Sequence, residues 1–227
     1  MLASTKDPLQ YTALHYDSEF NGLPVDQGQG PLIARHLGLL EDLLQRARNA
    51  HDNSLAVRFD LHCPNTIAIS ATLNQGNGLV SLFWSNLYEQ LFNAQPAAPF
   101  DLHFAWTREH DPHTGQQATY KSLILLNARA FHGLYSNEQA QDIGTSDSLA
   151  GCILRAWAKS LRISDPPPPE LVSFPTDPLS GKTQVMLLNR YDHNAWRELF
   201  TQSSSLCKYE GKPLGRVFCA FRTSNRQ

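Results

Sequence analysis

The sequence predicts an α+β fold: one antiparallel sheet with helices packed on one face, preceded by an N-terminal helix and followed by a C-terminal extension. Two observations carry this prediction. Some segments place apolar residues at helical three- and four-residue spacing, whereas others alternate them at period two. After one leading helix these segments follow in the order strand, helix, strand, strand, helix, strand, which suits strands sharing a sheet with helices stacked upon it.

Residues 1–30 are polar and turn-rich, with Asn21-Gly22-Leu23-Pro24 and Gln27-Gly28-Gln29-Gly30, and read as a loosely held arm. The remainder, 31–227, reads as a single domain. Ile33, Leu37, Leu40 and Leu44 mark an amphipathic helix over about 31–50. Alternation in Ser54-Leu55-Ala56-Val57-Arg58-Phe59-Asp60-Leu61-His62, stopped by Cys63-Pro64, predicts a half-buried strand. Leu79, Leu82, Phe83, Leu87 and Leu91 return to the helical period after the breaker Asn77-Gly78.

Leu102, Phe104 and Trp106 alternate in a strand over 100–109, and the cluster Asp111-Pro112-His113-Thr114-Gly115 turns the chain into a second strand over 118–127. Leu149, Ile153, Ala156, Trp157 and Leu161 give a third helix starting near Ser146-Asp147. The prolines 166–169 leave helical geometry and lead into a strand over 171–174. A short strand over 183–188, a helix over about 193–206 and a last strand over 215–221 complete the chain. The β-α-β-β-α-β order within this series is the ferredoxin-like pattern.

Composition is that of an ordinary globular protein, at 227 residues with 41% hydrophobic and 18% charged residues. The net charge of −2 is unevenly spread. Segment 206–227 holds Lys208, Lys212, Arg216, Arg222 and Arg226 against Glu210 alone, so it carries +4 and the rest of the chain −6. That asymmetry hints at a polyanionic partner. The first residues form no signal peptide and no stretch has the roughly 20 apolar residues of a membrane span, so no membrane association and a cytoplasmic protein are expected. Cys63, Cys152, Cys207 and Cys219 are widely separated with no Cys-x-x-Cys pair, which indicates buried thiols rather than a zinc knuckle or disulfide framework.

Several strings sharpen the picture when taken in order. Arg58-Phe59-Asp60-Leu61-His62, then Trp106-Thr107-Arg108-Glu109 and Leu123-Ile124-Leu125-Leu126-Asn127, resemble the opening and paired central strands of inovirus gene-two-type replication proteins and of the YagK/YfjJ C-terminal-domain family. Leu149-Ala150-Gly151 to Trp157-Ala158 resembles the helix that follows, and Leu171-Val172-Ser173-Phe174-Pro175, Leu199-Phe200, Lys208 and Arg216-Val217-Phe218 resemble the closing elements. The similarity spans about residues 31–222. It implies a rolling-circle replication initiator of the HUH type, from a phage or mobile element, on an HUH/RRM-like sheet. In active members a His-x-His pair on one strand holds Mg²⁺ or Mn²⁺, and a helical tyrosine attacks the scissile phosphate.

Two motifs depart from that pattern. Thr119 and Lys121 stand where the histidines belong, and an ammonium repels a cation instead of ligating it. Ser205, in Ser204-Ser205-Leu206-Cys207-Lys208, stands at the tyrosine position. Decay at two catalytic positions fits lost catalysis better than misalignment, so no catalytic residue and no cofactor are assigned. Tyr209 and Tyr120 are the candidate substitute nucleophiles; Tyr209 is displaced from the position of Ser205 by about one helical turn, roughly 5.4 Å. His62 shares a strand face with Asp60, and His103 lies on a neighbouring strand, so the three are candidates to converge on a metal. His110 and His113, with Asp111, flank the turn and could form an improvised metal site, although exposed turn residues explain them better.

The resulting expectation is a catalytically silent nucleic-acid-binding protein with a regulatory or accessory role. Its phosphate contacts would be Arg58, Lys121, Lys208, Lys212, Arg216 and Arg222, with Tyr120, Tyr209, Phe218 or Phe221 for base stacking. The partner expected is single-stranded or hairpin DNA. Two alternatives stay open: an active nickase using noncanonical residues, and a protein-interaction module on the same scaffold.

Overall fold

The computed structural model describes residues 13–28, 30–64, 77–109, 118–134, 148–176, 183–212 and 220–224. The fold is α+β. Among the described residues four α-helices, α1 (Ala34–Ala50), α2 (Gly78–Asn93), α3 (Leu149–Leu161) and α4 (His193–Ser204), accompany a six-stranded antiparallel sheet, and two short antiparallel pairings, Leu14–His15 with Leu32–Ile33 and Glu19–Phe20 with Leu23–Pro24, lie in and beside the N-terminal arm. The six strands of the main sheet are β1 (Asn53–Leu61), β2 (His103–Glu109), β3 (Thr119–Asn127), β4 (Val172–Ser173), β5 (Val185–Asn189) and β6 (Phe221–Thr223). They lie in the spatial order β6-β2-β3-β1-β4, and β5 also pairs with β1.

The register explains why β4 and β5 share one neighbour. Leu61 and Asp60 pair with Val172 and Ser173, whereas Val57 to Asn53 pair with Val185 to Asn189. The two strands are therefore one edge interrupted by an excursion. Where the chain leaves and returns, Thr176 bridges Thr183 and the Gln184 amide donates to the Pro175 carbonyl at 2.8 Å.

Helices cover both faces of the sheet, which corrects the expectation of helices on one face. Leu55, Val57, Phe59, Leu61, Trp106, Tyr120, Ile124 and Leu126 pack with α2 and α3 in one apolar cluster. The alternate residues Ala56, Ala105, Leu123, Leu125 and Leu188 pack with α1 and α4 in the other. The physical reason lies in Leu123-Ile124-Leu125-Leu126: a strand with four consecutive apolar residues has no polar face to offer to water. α1 meets this demand with Leu37, Leu40, Leu43, Leu44 and Ala47 on one side, and α4 with Trp196, Leu199 and Phe200.

Local signals set the helix starts. The Ser148 side chain accepts from the Gly151 amide at 3.2 Å at the head of α3, one residue past the expected Ser146-Asp147. Asp192 accepts from the Asn194 and Ala195 amides, both at 3.1 Å, at the head of α4. Part of the N-terminal arm packs on these helices. Val25 is buried in the α1/α4 cluster, Arg197 donates to the Gly22 carbonyl and Thr201 to that of Pro24. Cys152 and Cys207 are buried thiols and Cys63 is partly buried.

Trp157 anchors the other cluster. It is fully buried, its indole N–H donates to the His62 carbonyl at 2.8 Å, and it stands edge-on to Phe83 and Tyr120 at 5.8 Å each. Truncation leaves a large cavity and an unsatisfied carbonyl, so Trp157→Ala is expected to cost about 3–5 kcal/mol. Urea unfolding checks this; a loss below about 1 kcal/mol would mean that the ring does not hold α3 to the sheet.

Candidate nucleic-acid interface

The sheet face under α1 and α4 is apolar only along part of its length. On β1, Ala56 is followed on the same side by Arg58 and Asp60; on β2, Ala105 by Thr107 and Glu109; on β3, Leu125 and Leu123 by Lys121 and Thr119. Strand pairing aligns these polar positions into rows. Asp60, Lys121 and Thr107 lie side by side across three strands, and Glu109 lies opposite Thr119.

The chain leaving α4 closes over this polar end. A 3₁₀ turn (Ser205–Cys207) ends the helix, Lys208 forms a bridge with Leu32, and the Tyr209 amide donates to the Pro31 carbonyl at 2.9 Å. The Ser205 hydroxyl accepts from Arg58 Nη2 at 3.2 Å and donates to the Gln202 carbonyl at 3.0 Å. Thus the α4 terminus is tied to β1.

Three ammonium groups gather around Glu109. Lys121 Nζ is 3.1 Å and Lys208 Nζ 3.3 Å from Oε2, and Lys212 Nζ is 4.0 Å from Oε1. Lys212 also donates to Thr107 Oγ1 and, at 2.9 Å, to the Leu206 carbonyl. These groups retain two net positive charges, since the Arg58 and Asp60 charges beside them cancel. Burial, opposed by Glu109, lowers the Lys212 pKa to about 8, so it is still largely charged at neutral pH. Burial likewise pushes the Asp60 carboxyl up, against Lys121, His62 and Arg58.

The structure therefore brings together Arg58, Thr119, Lys121, Ser205, Lys208 and Lys212. Lys212 is buried, while Lys121 and Lys208 are partly open to solvent. Other expected contacts fall elsewhere. Tyr120 points to the opposite face, fully buried, with its ring edge-on to Trp106 and Trp157. Burial raises its phenol to about 12, so it serves neither as a stacking platform nor as a nucleophile. Its place between Thr119 and Lys121 dictates this, because neighbouring residues of a strand face opposite ways.

Arg222 is exposed but in register with Trp106, hence on the side of the sheet away from Lys121. Phe221 is buried and stacks on His36 at 4.7 Å, so it offers no face to a base. Tyr209 is partly buried beyond the helix. His110, His113, Asp111, Arg216 and Phe218 lie outside the described residues.

The histidines expected to converge with Asp60 do not meet. His103 pairs with Leu125 whereas Leu61, just before His62, pairs with Tyr120. Five residues of β3 separate those positions, about 17 Å at roughly 3.4 Å per residue. His62 bonds Ser173 Oγ at 2.7 Å. The His103 pKa is lowered by burial and by the nearby Arg46 and His51. Among the described residues no group of three His, Cys, Asp or Glu side chains is disposed to hold a metal.

Sequence reasoning missed Thr107 and Glu109 as parts of this site. Their alternation with Ala105 along β2 puts them on one face, but their neighbours depend on hairpin register. No described helix is long and apolar enough to cross a membrane. No curated protein and no solved structure matches the chain. Residues 16–224, encompassing both the sheet and the lysine cluster, match the YagK/YfjJ C-terminal domain, and the chain belongs to that family.

Proposed function

We propose that this protein binds single-stranded or hairpin DNA through phosphate contacts on its lysine-lined sheet face, on a scaffold descended from an HUH replication initiator that no longer cuts. One observation carries the reading. Lys121 stands at a position where the HUH pattern has a metal ligand and Lys208 just beyond the position of its tyrosine, and their ammoniums meet on the same carboxylate oxygen, at 3.1 and 3.3 Å. A single shared site is what that pattern requires of these distant segments.

The connectivity β1-α2-β2-β3-α3-β4, with spatial order β2-β3-β1-β4, supports reading the core as ferredoxin-like, of the HUH and RRM kind. α1 and α4 are then additions on the second face. The residues at the expected metal position do not fit a divalent cation: Thr119 offers only a hydroxyl and Lys121 an ammonium already paired with Glu109. Ser205 is a weaker nucleophile than a phenol, and its proton is directed to the Gln202 carbonyl. A regulatory or accessory role in a mobile element accords with DNA binding without scission.

Gel-shift titration with single-stranded and hairpin oligonucleotides at two salt concentrations tests the reading. Binding should weaken with salt, with a log-log slope of about −1.4 to −2 for two or three neutralised phosphates. Absence of binding at low salt, or affinity indifferent to salt, would leave the scaffold as a protein-interaction module. A covalent adduct with a suicide oligonucleotide in Mn²⁺ would establish the nickase instead.

A further inference from the structure

We infer that Glu109 is a built-in competitor for the phosphate site, occupying the three-lysine cluster until a phosphoryl group displaces it; this rests on the lysine cluster being the phosphate site of the proposed function. The carboxylate is poorly matched to what surrounds it. Oε2 takes both Lys121 and Lys208, at 3.1 and 3.3 Å. Oε1 is buried without a hydrogen-bond partner among the described residues, and Lys212 Nζ at 4.0 Å is too far to supply one. One planar anion thus faces ammoniums from three parts of the chain and satisfies two.

A phosphoryl group suits that arrangement better. Its oxygens are disposed tetrahedrally, so they can meet donors arriving from β3, from beyond the α4 turn and from Lys212 at once. The charge count points the same way. Three ammoniums against one carboxylate leave the cluster two charges positive, and moving Glu109 aside raises this to three. Glu109 closes β2, with its side chain 12% exposed, so it lies at the rim where it can swing outward rather than in the apolar interior. In the closed arrangement it holds Lys121 and Lys208 in place and keeps stray anions weakly bound.

Glu109→Gln removes the competing charge and preserves shape. Fluorescence anisotropy with a labelled single-stranded oligonucleotide and calorimetry with inorganic pyrophosphate compare it with the unaltered protein. The variant should bind both probes about tenfold more tightly, a fraction of the attraction between close unit charges near a protein surface. Equal or weaker binding of pyrophosphate by the variant, or none by either protein, overturns the inference.

The two probes separate the competing failures. Tighter pyrophosphate binding with no oligonucleotide binding sustains the gate and removes the DNA reading. Salt-sensitive oligonucleotide binding, unchanged for either probe by the substitution, sustains the DNA reading and removes the gate. A measurement on the unaltered protein covers the case in which the variant misfolds: the Glu109 carboxyl ¹³C resonance should shift when pyrophosphate saturates the site, and a resonance that stays put overturns displacement.

Discussion

Lys121→Ala combined with Lys208→Ala is expected to lower affinity for single-stranded DNA at least about tenfold near physiological salt and to flatten the salt slope by roughly 1.4. Both effects follow, on the proposed function, from losing two of the charges assigned to phosphates on one face. The double variant also strips Glu109 of its two close partners, leaving a largely buried carboxylate with Lys212 alone at 4.0 Å. Some loss of stability is therefore expected. Adding Glu109→Gln to the pair removes that uncompensated charge, so the triple variant should regain stability without regaining affinity.

Arg222→Ala supplies the spatial control. Arg222 lies on the other side of the sheet, so its removal should leave both affinity and slope nearly unchanged. Anisotropy titrations over a range of salt compare these proteins. If Arg222→Ala weakened binding as much as the double substitution, the interface would lie on the wrong face here.

The second large effect concerns acid stability. His36 on α1 lies flat on Phe221 of β6, with ring centroids 4.7 Å apart and planes 17° apart. Its Nδ1 is buried without a hydrogen-bond partner among the described residues. Burial, reinforced by the charges of Lys212 and Arg35, lowers its pKa to about 3. An unfolded histidine takes up its proton near pH 6.5. Between those values the unfolded state binds a proton that the folded state refuses, so stability falls as pH falls, at about 1.4 kcal/mol per unit. Below about 3 both states are protonated and this contribution stops changing.

His36→Phe keeps an aromatic ring on Phe221 and has nothing to titrate. The variant should lose this acid-side slope, and the gap between the two proteins should widen by several kcal/mol from pH 6.5 to 4. Asp60 works in the opposite direction, because its folded pKa is raised and protonation favours the folded form. The difference between the two proteins isolates His36, since Asp60 is common to both. Urea unfolding across this range is the measurement; parallel curves would show that His36 is protonated in the folded protein.

The helices and central strands were legible along the chain. Leu37, Leu40 and Leu44 mark α1, and the alternation through Arg58 and Asp60 marks β1, because these are patterns of neighbours. The site was legible in part. Of the residues in the cluster, Arg58, Lys121, Ser205, Lys208 and Lys212 were singled out through residue type at a position, whereas Glu109 and Thr107 were not. The hairpin that places Glu109 against Thr119 has a long connection over 110–118, and no short turn fixes its register from the sequence.

By itself the sequence determined the main helices and the central strands, and the residue types Thr119, Lys121 and Ser205 at the positions singled out. Tertiary structure alone decided that α1 and α4 take the second face, that Tyr120 is buried while Lys121 is not, and that Lys121, Lys208 and Lys212 meet on Glu109. The reason is physical: periodicity is a property of adjacent residues, whereas strand order, register and the contact of remote charges depend on how far-separated segments share one core.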